Sequence, residues 1–139
     1  MTAKEYLKQY ERAVKRAQRY RQQYEDETSL IDAVRSLSDN DGMPHGSSIS
    51  KPTEEKAVRL ADRRLRLIEA ELEAIRIKQE LFDFIDGIEG IEGEILFHRY
   101  IRLLKWEEIC LIVHYSWPNV MRIHRNALGI VQKIIDDIE

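Results

Sequence analysis

The fold is indicated most clearly by the stretch WEEICLIVHYSWPNVMRIHRNALGIVQKII, residues 106–135. Its apolar residues recur at intervals of three or four, which is typical of amphipathic helices. The pattern predicts a short helix that starts near Trp106 and a long helix that runs from Trp117 towards Ile138. Residues 113–116 predict a tight turn between them. A short helix, a turn and a second helix together form the helix-turn-helix arrangement.

The long helix is expected to have one buried and one exposed face. Ser116 is a favourable N-cap residue, and Pro118 suits the first turn because its missing N–H has no helical partner there. If Val120 and Ile123 point into the core, the side chains that point outward or sideways are those of Pro118, Asn119, Met121, Arg122, Arg125 and Asn126. In a helix-turn-helix this face enters the major groove of DNA.

The residue types on that face suit contacts with duplex DNA. Arg122 is placed to offer its guanidinium fork to guanine O6 and N7, and Asn119 to pair with adenine N6 and N7. Arg125, Arg99, Arg102 and Lys105 are better placed for phosphates. The predicted DNA-binding residues are therefore Trp117, Asn119, Met121, Arg122, Arg125, Asn126, Arg99, Arg102 and Lys105. The alternative is an ordinary three-helix bundle whose basic residues form a solvated face.

A further helix is expected before Trp106. It would bury Ile95, Leu96, Tyr100, Ile101 and Leu104, and it completes a three-helix domain over residues 92–139. Residues 86–93 read DGIEGIEG, and glycine at every third position predicts a hinge in front of this domain.

The first part of the chain has the pattern of two long helices. Residues 2–37 carry a seven-residue cycle of small and aromatic residues with one break at Glu27: Ala3, Tyr6, Tyr10, Ala13, Ala17, Tyr20, Tyr24, Ile31 and Val34. Residues 54–86 carry a similar cycle with Gln79 as a polar member: Val58, Ala61, Leu65, Ile68, Leu72, Ile75 and Phe82.

Two matching helices joined by a loop predict an antiparallel, coiled-coil-like hairpin over residues 1–88. Gly, Pro, Ser and Asn are frequent in residues 38–52, which are therefore expected to form the loop. Either the hairpin is intramolecular only, or it also carries a homodimer. The loop segment 41–48 is either a connector or a contact element for polymerase, DNA or a second protomer. The predicted fold class is thus all-α, a helical hairpin followed by a helix-turn-helix domain.

The charges are separated along the chain, although the net charge is only −3. Residues 1–24 carry seven Lys or Arg against two Glu, and residues 95–133 carry six against two. Residues 69–94 instead carry nine acids against two basic residues. Such a chain is able to bind phosphates through its ends while its middle stays solvated.

Several other classes are disfavoured. The composition, 43% apolar and 34% charged, is that of a globular soluble chain. The single Cys110 forms no intrachain disulfide, and no apolar run is long enough to span a membrane, so a cytoplasmic location is expected. His45, His98, His114 and His124 lack the spacing of a zinc site, and His98 and His124 are expected at the edge of the small C-terminal core. We expect no enzyme activity, cofactor or metal, and we expect Cys110 to be a packed thiol.

Specific residues of the C-terminal part resemble region 4 of sigma-70-type factors. They are residues 96–101 (LFHRYI), 106–110 (WEEIC), 114–116 (HYS), Val120, 123–125 (IHR) and 127–128 (AL). The chain is similar to small phage and prophage proteins with a sigma-70 region-4-like C-terminus, including a sigma-factor-like family of unknown function and related late-gene and packaging regulators of phages of Gram-positive bacteria. The opening residues MTAKEYL and the loop residues DGMPHG also resemble that family.

The resemblance implies a transcription regulator that binds promoter DNA, activates late phage genes in the bacterial host cytoplasm, and has RNA polymerase as a further partner. Two positions depart from the family. His114 stands where the turn often has glycine, and Lys105 replaces the usual Ser or Thr cap. Pro118 also removes a backbone donor, so the base contacts are expected to differ.

Two other functions compete with this one. Small terminase-type DNA-packaging subunits also join a helix-turn-helix to coiled-coil helices, but they assemble into rings. A helical protein-interaction adaptor would have no DNA activity. The residues do not separate activation from repression, and they do not specify an operator.

Overall fold

The computed structural model describes residues 1–39 and 51–139, and every regular element in these ranges is helical. The all-α prediction is confirmed. The elements are α1 (Ala3–Leu7), α2 (Gln9–Asp39), α3 (Lys51–Asp86), α4 (Ile91–Leu96), a π-helical turn (Phe97–Ile101), α5 (Trp106–Val113) and α6 (Trp117–Ile138). Of the predicted loop, residues 40–50 lie outside the described ranges, and the question of what segment 41–48 contacts lies there too.

The N-terminal helix differs from the single helix expected over residues 2–37, because it is divided at Lys8 into α1 and α2. A capping box starts α1: the Glu5 N–H donates to Thr2 Oγ1 at 3.2 Å, and the Thr2 N–H donates to Glu5 Oε2 at 3.0 Å. The Ala3 N–H donates to Gln132 Oε1 at 2.9 Å. The start of the chain is therefore hydrogen-bonded to α6.

The described chain divides into two compact units. The first contains residues 1–14 and 73–139, and the second contains residues 15–72. The predicted domain boundary between residues 88 and 92 lies inside the first unit. The N-terminal residues and the last part of α3 thus belong to the same unit as the C-terminal helices.

The first unit has two apolar clusters. The larger joins the N-terminus, the end of α3 and the C-terminal helices, and its buried members are Ala3, Leu7, Leu81, Ile85, Ile88, Leu96, Tyr100, Ile101, Ala127, Val131 and Ile135. The smaller packs α5 against α4 and α6 through Ile95, Ile109, Val120 and Ile123. Most of the residues predicted for the C-terminal core are in these clusters. Burial of apolar side chains is the main force that holds such helices together.

The glycine-rich segment between α3 and α4 is a packed connection, not the open hinge that its composition predicted. Ile88 is buried, and Gly90 has φ 85°, a left-handed conformation that favours glycine. A Cβ on Gly93 would lie 2.0 Å from the Ile88 carbonyl oxygen. Two of the glycines are therefore explained by backbone geometry and close packing.

In the second unit, α2 and α3 are joined by ion pairs between charged side chains. Arg63 Nε lies 2.8 Å from Glu27 Oε1, and Arg21 pairs with Glu71. Ala17 on α2 and Leu67 and Ala70 on α3 are buried.

The apolar cycle that was expected on α3 does not lie on the face that the chain itself buries. Its large members, Val58, Leu65, Ile68, Leu72, Ile75 and Phe82, are between 40% and 69% exposed. The face that is buried within the chain instead carries Leu67, Ala70, Ala74, Leu81 and Ile85. The seam on the first helix is at least half-buried from Ala3 to Tyr24 and at Ile31, but Val34 is exposed. Helix α3 thus has two apolar stripes, and the buried one is rich in alanine.

No helix in the described ranges is both long enough and apolar enough to cross a membrane.

Candidate nucleic-acid interface

A sharp turn joins α5 to α6. Helix α5 ends at His114, which adopts the left-handed conformation with φ 60° and ψ 37°. This is the conformation that glycine adopts most easily, and histidine tolerates it better than most residues do. The predicted positions of both helices and of the turn are confirmed. Lys105 occupies the N-cap position of α5 and makes no side-chain capping bond.

The start of α6 follows the prediction in backbone but not in side-chain contacts. Ser116 is the N-cap residue with extended backbone, its carbonyl accepts from the Val120 N–H at 2.9 Å, and Pro118 lies in the first turn. The Ser116 hydroxyl makes no capping hydrogen bond. Helix α6 is therefore started by backbone geometry and by Pro118.

The two faces of α6 separate as expected. Val120 and Ile123 are buried, whereas Arg122, Arg125 and Asn126 are exposed. Trp117 is exposed as well, and Asn119 and Met121 are half-buried, with Met121 packed against the smaller cluster. The predicted base-contacting pair is in mutual contact, because Arg122 Nη2 donates to Asn119 Oδ1 at 2.7 Å. The two side chains thus orient each other on the exposed face.

The helix expected before Trp106 is not a regular α-helix to its end. It begins as α4 and changes to a π-helical turn, in which the Arg102 N–H donates to the Phe97 carbonyl at 3.1 Å. The chain then passes through Leu103, which has φ 56°, a rare conformation for leucine. The Leu104 N–H donates to the His98 carbonyl at 3.1 Å. These bonds reverse the chain into α5.

Arg99 stabilises this reversal, which is a role that its residue type did not predict. Its Nη1 donates to the Leu104 carbonyl at 2.9 Å, and its guanidinium lies over the Trp106 ring, 4.7 Å from the centroid. Half-buried Arg99 is therefore a structural residue as well as a cation beside α5.

The other two predicted phosphate contacts before α5, Arg102 and Lys105, are exposed. Arg102 Nη1 and His98 Nδ1 form a hydrogen bond at 3.0 Å. Burial and the neighbouring Arg102 charge lower the pKa of His98, against a smaller opposing effect of Glu94. His98 is therefore a neutral partner for Arg102 at pH 7.

His124 lies deeper than the core edge at which we expected it. It is buried, its Nε2 lies 2.8 Å from Tyr100 Oη, and the Trp106 ring meets its ring edge-on at 4.6 Å. Burial lowers the pKa of His124 to about 4, and Lys4 and Arg99 add to the effect. Burial raises the pKa of Tyr100 to about 12, assisted by Glu11 and opposed by Arg99. At neutral pH both groups are uncharged.

A cleft of about 240 Å³ lies over this buried pair. Three cations and one carboxylate are among the residues that line it, so its charge is positive on balance. The lining residues are Lys4, Lys8, Glu11, Arg99, Tyr100, Leu103, Trp106, Met121 and His124. The N-terminal helix thus brings lysines beside α6.

Lys4 and Lys8 were not among the predicted site residues. The sequence showed two basic segments, residues 1–24 and 95–133, but not that they lie side by side. The available signals were the T-x-x-E capping box at Thr2 and the position of Leu7 outside the seven-residue cycle. Leu7 is completely buried, and it holds this face of α1 in the first unit.

The described part of the chain contains no cluster of His, Cys, Asp and Glu that would hold a metal ion. Cys110 is half-buried and packs against the smaller apolar cluster, as expected for a packed thiol.

The chain matches no protein-family model, no curated protein and no solved structure.

Proposed function

We propose that this protein is a DNA-binding transcription regulator in which α5, the turn at residues 114–116 and α6 act as a helix-turn-helix. The observation that carries the proposal is the left-handed turn at His114 between two helices that share one small core. This turn leaves the N-terminal half of α6 with an exposed, polar and basic face. In a helix-turn-helix that half of the second helix lies in the major groove.

Base reading is assigned to Asn119 and Arg122. Their hydrogen bond in the free protein holds the guanidinium at the helix surface, where guanine O6 and N7 are its preferred acceptors. Asn119 would then turn to adenine N6 and N7. Trp117, Met121, Arg125 and Asn126 flank this pair on α6 and supply phosphate and apolar contacts.

Phosphate binding is assigned to the cations that surround α5 and the cleft. Arg102 and Lys105 are exposed before α5, and Lys4, Lys8 and Arg99 line the cleft beside α6. Cations near a reading helix fit the phosphates that border a major groove. The net negative charge of the chain is no obstacle, because residues 1–24 and 95–133 carry an excess of basic residues although the chain as a whole does not.

We further propose that α2 and α3 form the antiparallel hairpin that carries this domain. The ion pairs Arg21–Glu71 and Glu27–Arg63 support it, since the partner's residue number falls as the first number rises. The resemblance to sigma region 4 adds the proposal that the protein acts on phage or prophage late promoters in the bacterial cytoplasm, with RNA polymerase as a partner.

A second candidate function is a protein-binding adaptor with weak DNA affinity of its own. It is favoured by four large apolar side chains that are exposed around the turn, Leu111, Ile112, Tyr115 and Trp117. Exposed apolar patches often mark protein contacts. In this alternative the same turn would contact RNA polymerase.

Salt dependence of DNA binding tests the proposal. We expect the affinity for a random duplex to fall steeply with salt. The slope of the logarithm of the binding constant against the logarithm of the salt concentration should be about −0.9 for each phosphate neutralised. Lys105→Ala should reduce the size of that slope by about one. Lys56→Ala makes the same charge change on exposed α3 and serves as the control, with no change in slope. Fluorescence anisotropy on a labelled duplex measures both.

Two results would contradict the proposal. One is a wild-type protein that is folded but does not bind duplex DNA at low salt, which would favour the adaptor. The other is an equal decrease in the salt dependence of DNA affinity for Lys105→Ala and Lys56→Ala. That result would mean that DNA contacts are spread over the chain rather than located at α5 and α6.

A further inference from the structure

The exposed apolar stripe on α3 has the spacing of a coiled-coil seam. Its positions alternate between steps of three and four, which is the heptad pattern of a and d positions. The a positions are Val58, Leu65, Leu72 and Gln79, and the d positions are Ala61, Ile68, Ile75 and Phe82. The stripe spans about 36 Å of one uninterrupted helix at 1.5 Å per residue. A pattern sustained over more than three heptads is typical of a coiled coil.

Apart from Phe82, whose ring meets that of Phe97 edge-on at 6.0 Å, the stripe is not the face that α3 uses within its own chain. Leu72 and Ile75, at its centre, are 60% and 62% exposed. Large apolar side chains exposed in a row mark a surface that is covered by another helix. The charges beside the stripe indicate which helix that is.

We propose that α3 pairs through residues 58–82 with α3 of a second copy of this chain, as a parallel, in-register, two-stranded coiled coil. In such a pair each g position lies near the partner's following e position, and opposite charges there specify partner and orientation. This pairing places Arg64 near the partner's Glu69, Glu71 near the partner's Arg76 and Lys78 near the partner's Asp83. All three contacts join opposite charges.

The antiparallel arrangement is disfavoured by the same charges. A centred antiparallel pair brings Glu69 against the partner's Glu69, Glu71 against the partner's Glu71, and Arg64 against the partner's Lys78. Each of these contacts joins like charges, which repel. The remaining contact, Asp62 with the partner's Arg76, joins opposite charges, but the repulsive contacts outnumber it. A single polar residue at an a position, here Gln79, is also a known means of specifying register, because a shifted pairing would bury it against an apolar partner.

The number of strands follows from what else covers α3. Leu at a with Ile at d favours more than two strands in isolated coiled coils. In this chain the opposite face of α3, which carries Leu67, Ala70 and Ala74, is already buried. Only the stripe itself is left for other copies, and so narrow a stripe accommodates one partner helix.

The mass in solution tests self-association without reference to DNA binding, so the two proposals fail separately. We expect sedimentation equilibrium of the full chain to give twice the 16.5 kDa chain mass. Leu72→Asp should give the single-chain mass with unchanged helical circular dichroism, because this side chain is exposed in the single chain. Ile138→Asp makes the same change at an exposed site on α6 and should remain dimeric.

A wild-type monomer, or a dimer that survives Leu72→Asp, would overturn the proposal. A ring of eight or more copies would overturn it in favour of a DNA-packaging assembly.

Disulfide cross-linking tests the orientation. In a Cys110→Ser background, Ala61→Cys and Gln79→Cys should each cross-link to the same position of the partner in high yield. In a centred antiparallel pair the two like positions would be about 27 Å apart, beyond disulfide reach. If the single-cysteine variants do not cross-link but the double variant Ala61→Cys/Gln79→Cys does, the parallel arrangement would be overturned.

Charge reversal tests the assigned contacts. Arg64→Glu places like charges beside the partner's Glu69 and should raise the dimer dissociation constant. The double variant Arg64→Glu/Glu69→Arg restores opposite charges and should return the dissociation constant to that of the wild type. Failure of the second change to compensate for the first would contradict the pairing.

Discussion

At the scale of single residues, His124 shows that the tertiary structure determines how deeply a polar side chain is buried. It was expected near the core edge, but the Tyr100 hydroxyl and the Trp106 ring enclose it. Its neutral form is stabilised by that burial. Sequence periodicity predicts that a position faces the core, but not how deeply a polar side chain is buried there.

The buried imidazole predicts a pH-dependent stability. The pKa of His124 is about 4 in the folded chain and near 6.5 in the unfolded chain. Between these values the unfolded chain binds a proton that the folded chain does not, so stability is complete above pH 6.5 and falls as the pH is lowered towards 4. The contribution approaches 1.4 kcal/mol per pH unit, roughly, within that window.

Urea unfolding at several pH values measures the effect. His124→Gln removes the titrating group, so its free energy of unfolding should fall less steeply between pH 6.5 and 4 than that of the wild type. Carboxylates and His98 titrate in both proteins and cancel in the comparison. Parallel pH profiles of the two proteins would show that His124 is not held neutral by the fold.

At the scale of helices and turns, sequence reasoning succeeded where a local feature decides the structure. The start of α6 was predicted because Ser116 and Pro118 both favour a helix start, and the turn was predicted although His114 replaces glycine. The π-helical turn at Phe97–Ile101 was not predicted, because apolar spacing does not distinguish it from a continuing α-helix. Within this turn Arg99 lies over the Trp106 ring, a contact that apolar spacing does not reveal.

The sequence did not decide, for a related reason, which face of α3 the chain itself buries. Two apolar stripes lie on this helix, and the one with larger side chains matches the heptad pattern better. Small residues such as Ala70 and Ala74 are buried because they allow a neighbouring helix to approach closely. Periodicity locates both stripes but does not say which one is covered by the chain itself.

Two glycines in helices provide a matched prediction on stability. A Cβ on Gly93 would lie 2.0 Å from the Ile88 carbonyl oxygen, which is a clash. Because this oxygen is a backbone atom, it cannot move aside as the end of a flexible side chain can. We therefore expect Gly93→Ala to lower the free energy of unfolding by about 2 kcal/mol or more. Gly129 in α6 is exposed with open space around it, and Gly129→Ala should raise the free energy by up to about 1 kcal/mol.

Chemical denaturation of the two variants beside the wild type checks these signs. A neutral Gly93→Ala would mean that the connection between α3 and α4 yields as an open hinge does.

At the scale of the whole molecule, the main result that the sequence did not predict is that the two basic segments, residues 1–24 and 95–133, lie side by side. Residues 1–14 belong to the same compact unit as residues 73–139, and Lys4 and Lys8 line the cleft beside α6. Charge counting along the chain showed two basic segments separated by an acidic one. Only the tertiary structure makes them one candidate surface.

The two proposals combine into one expectation about DNA. A parallel coiled coil of α3 has a two-fold axis along the pair, so a dimer carries two reading helices related by that symmetry. Helix-turn-helix dimers of this kind bind paired half-sites. A sequence-specific dimer should therefore select a repeated motif, whereas a monomer should select a single half-site.

The most direct test of the central claim, that α6 reads DNA sequence, is a selection from random duplex DNA with the wild type and Arg122→Ala in parallel. We expect the wild type to enrich a motif, and we expect the variant to lose preference at one base position, with a loss of about 1–3 kcal/mol on the selected site. No enrichment by folded wild type at low salt, or the same motif at equal affinity from the variant, would contradict the claim.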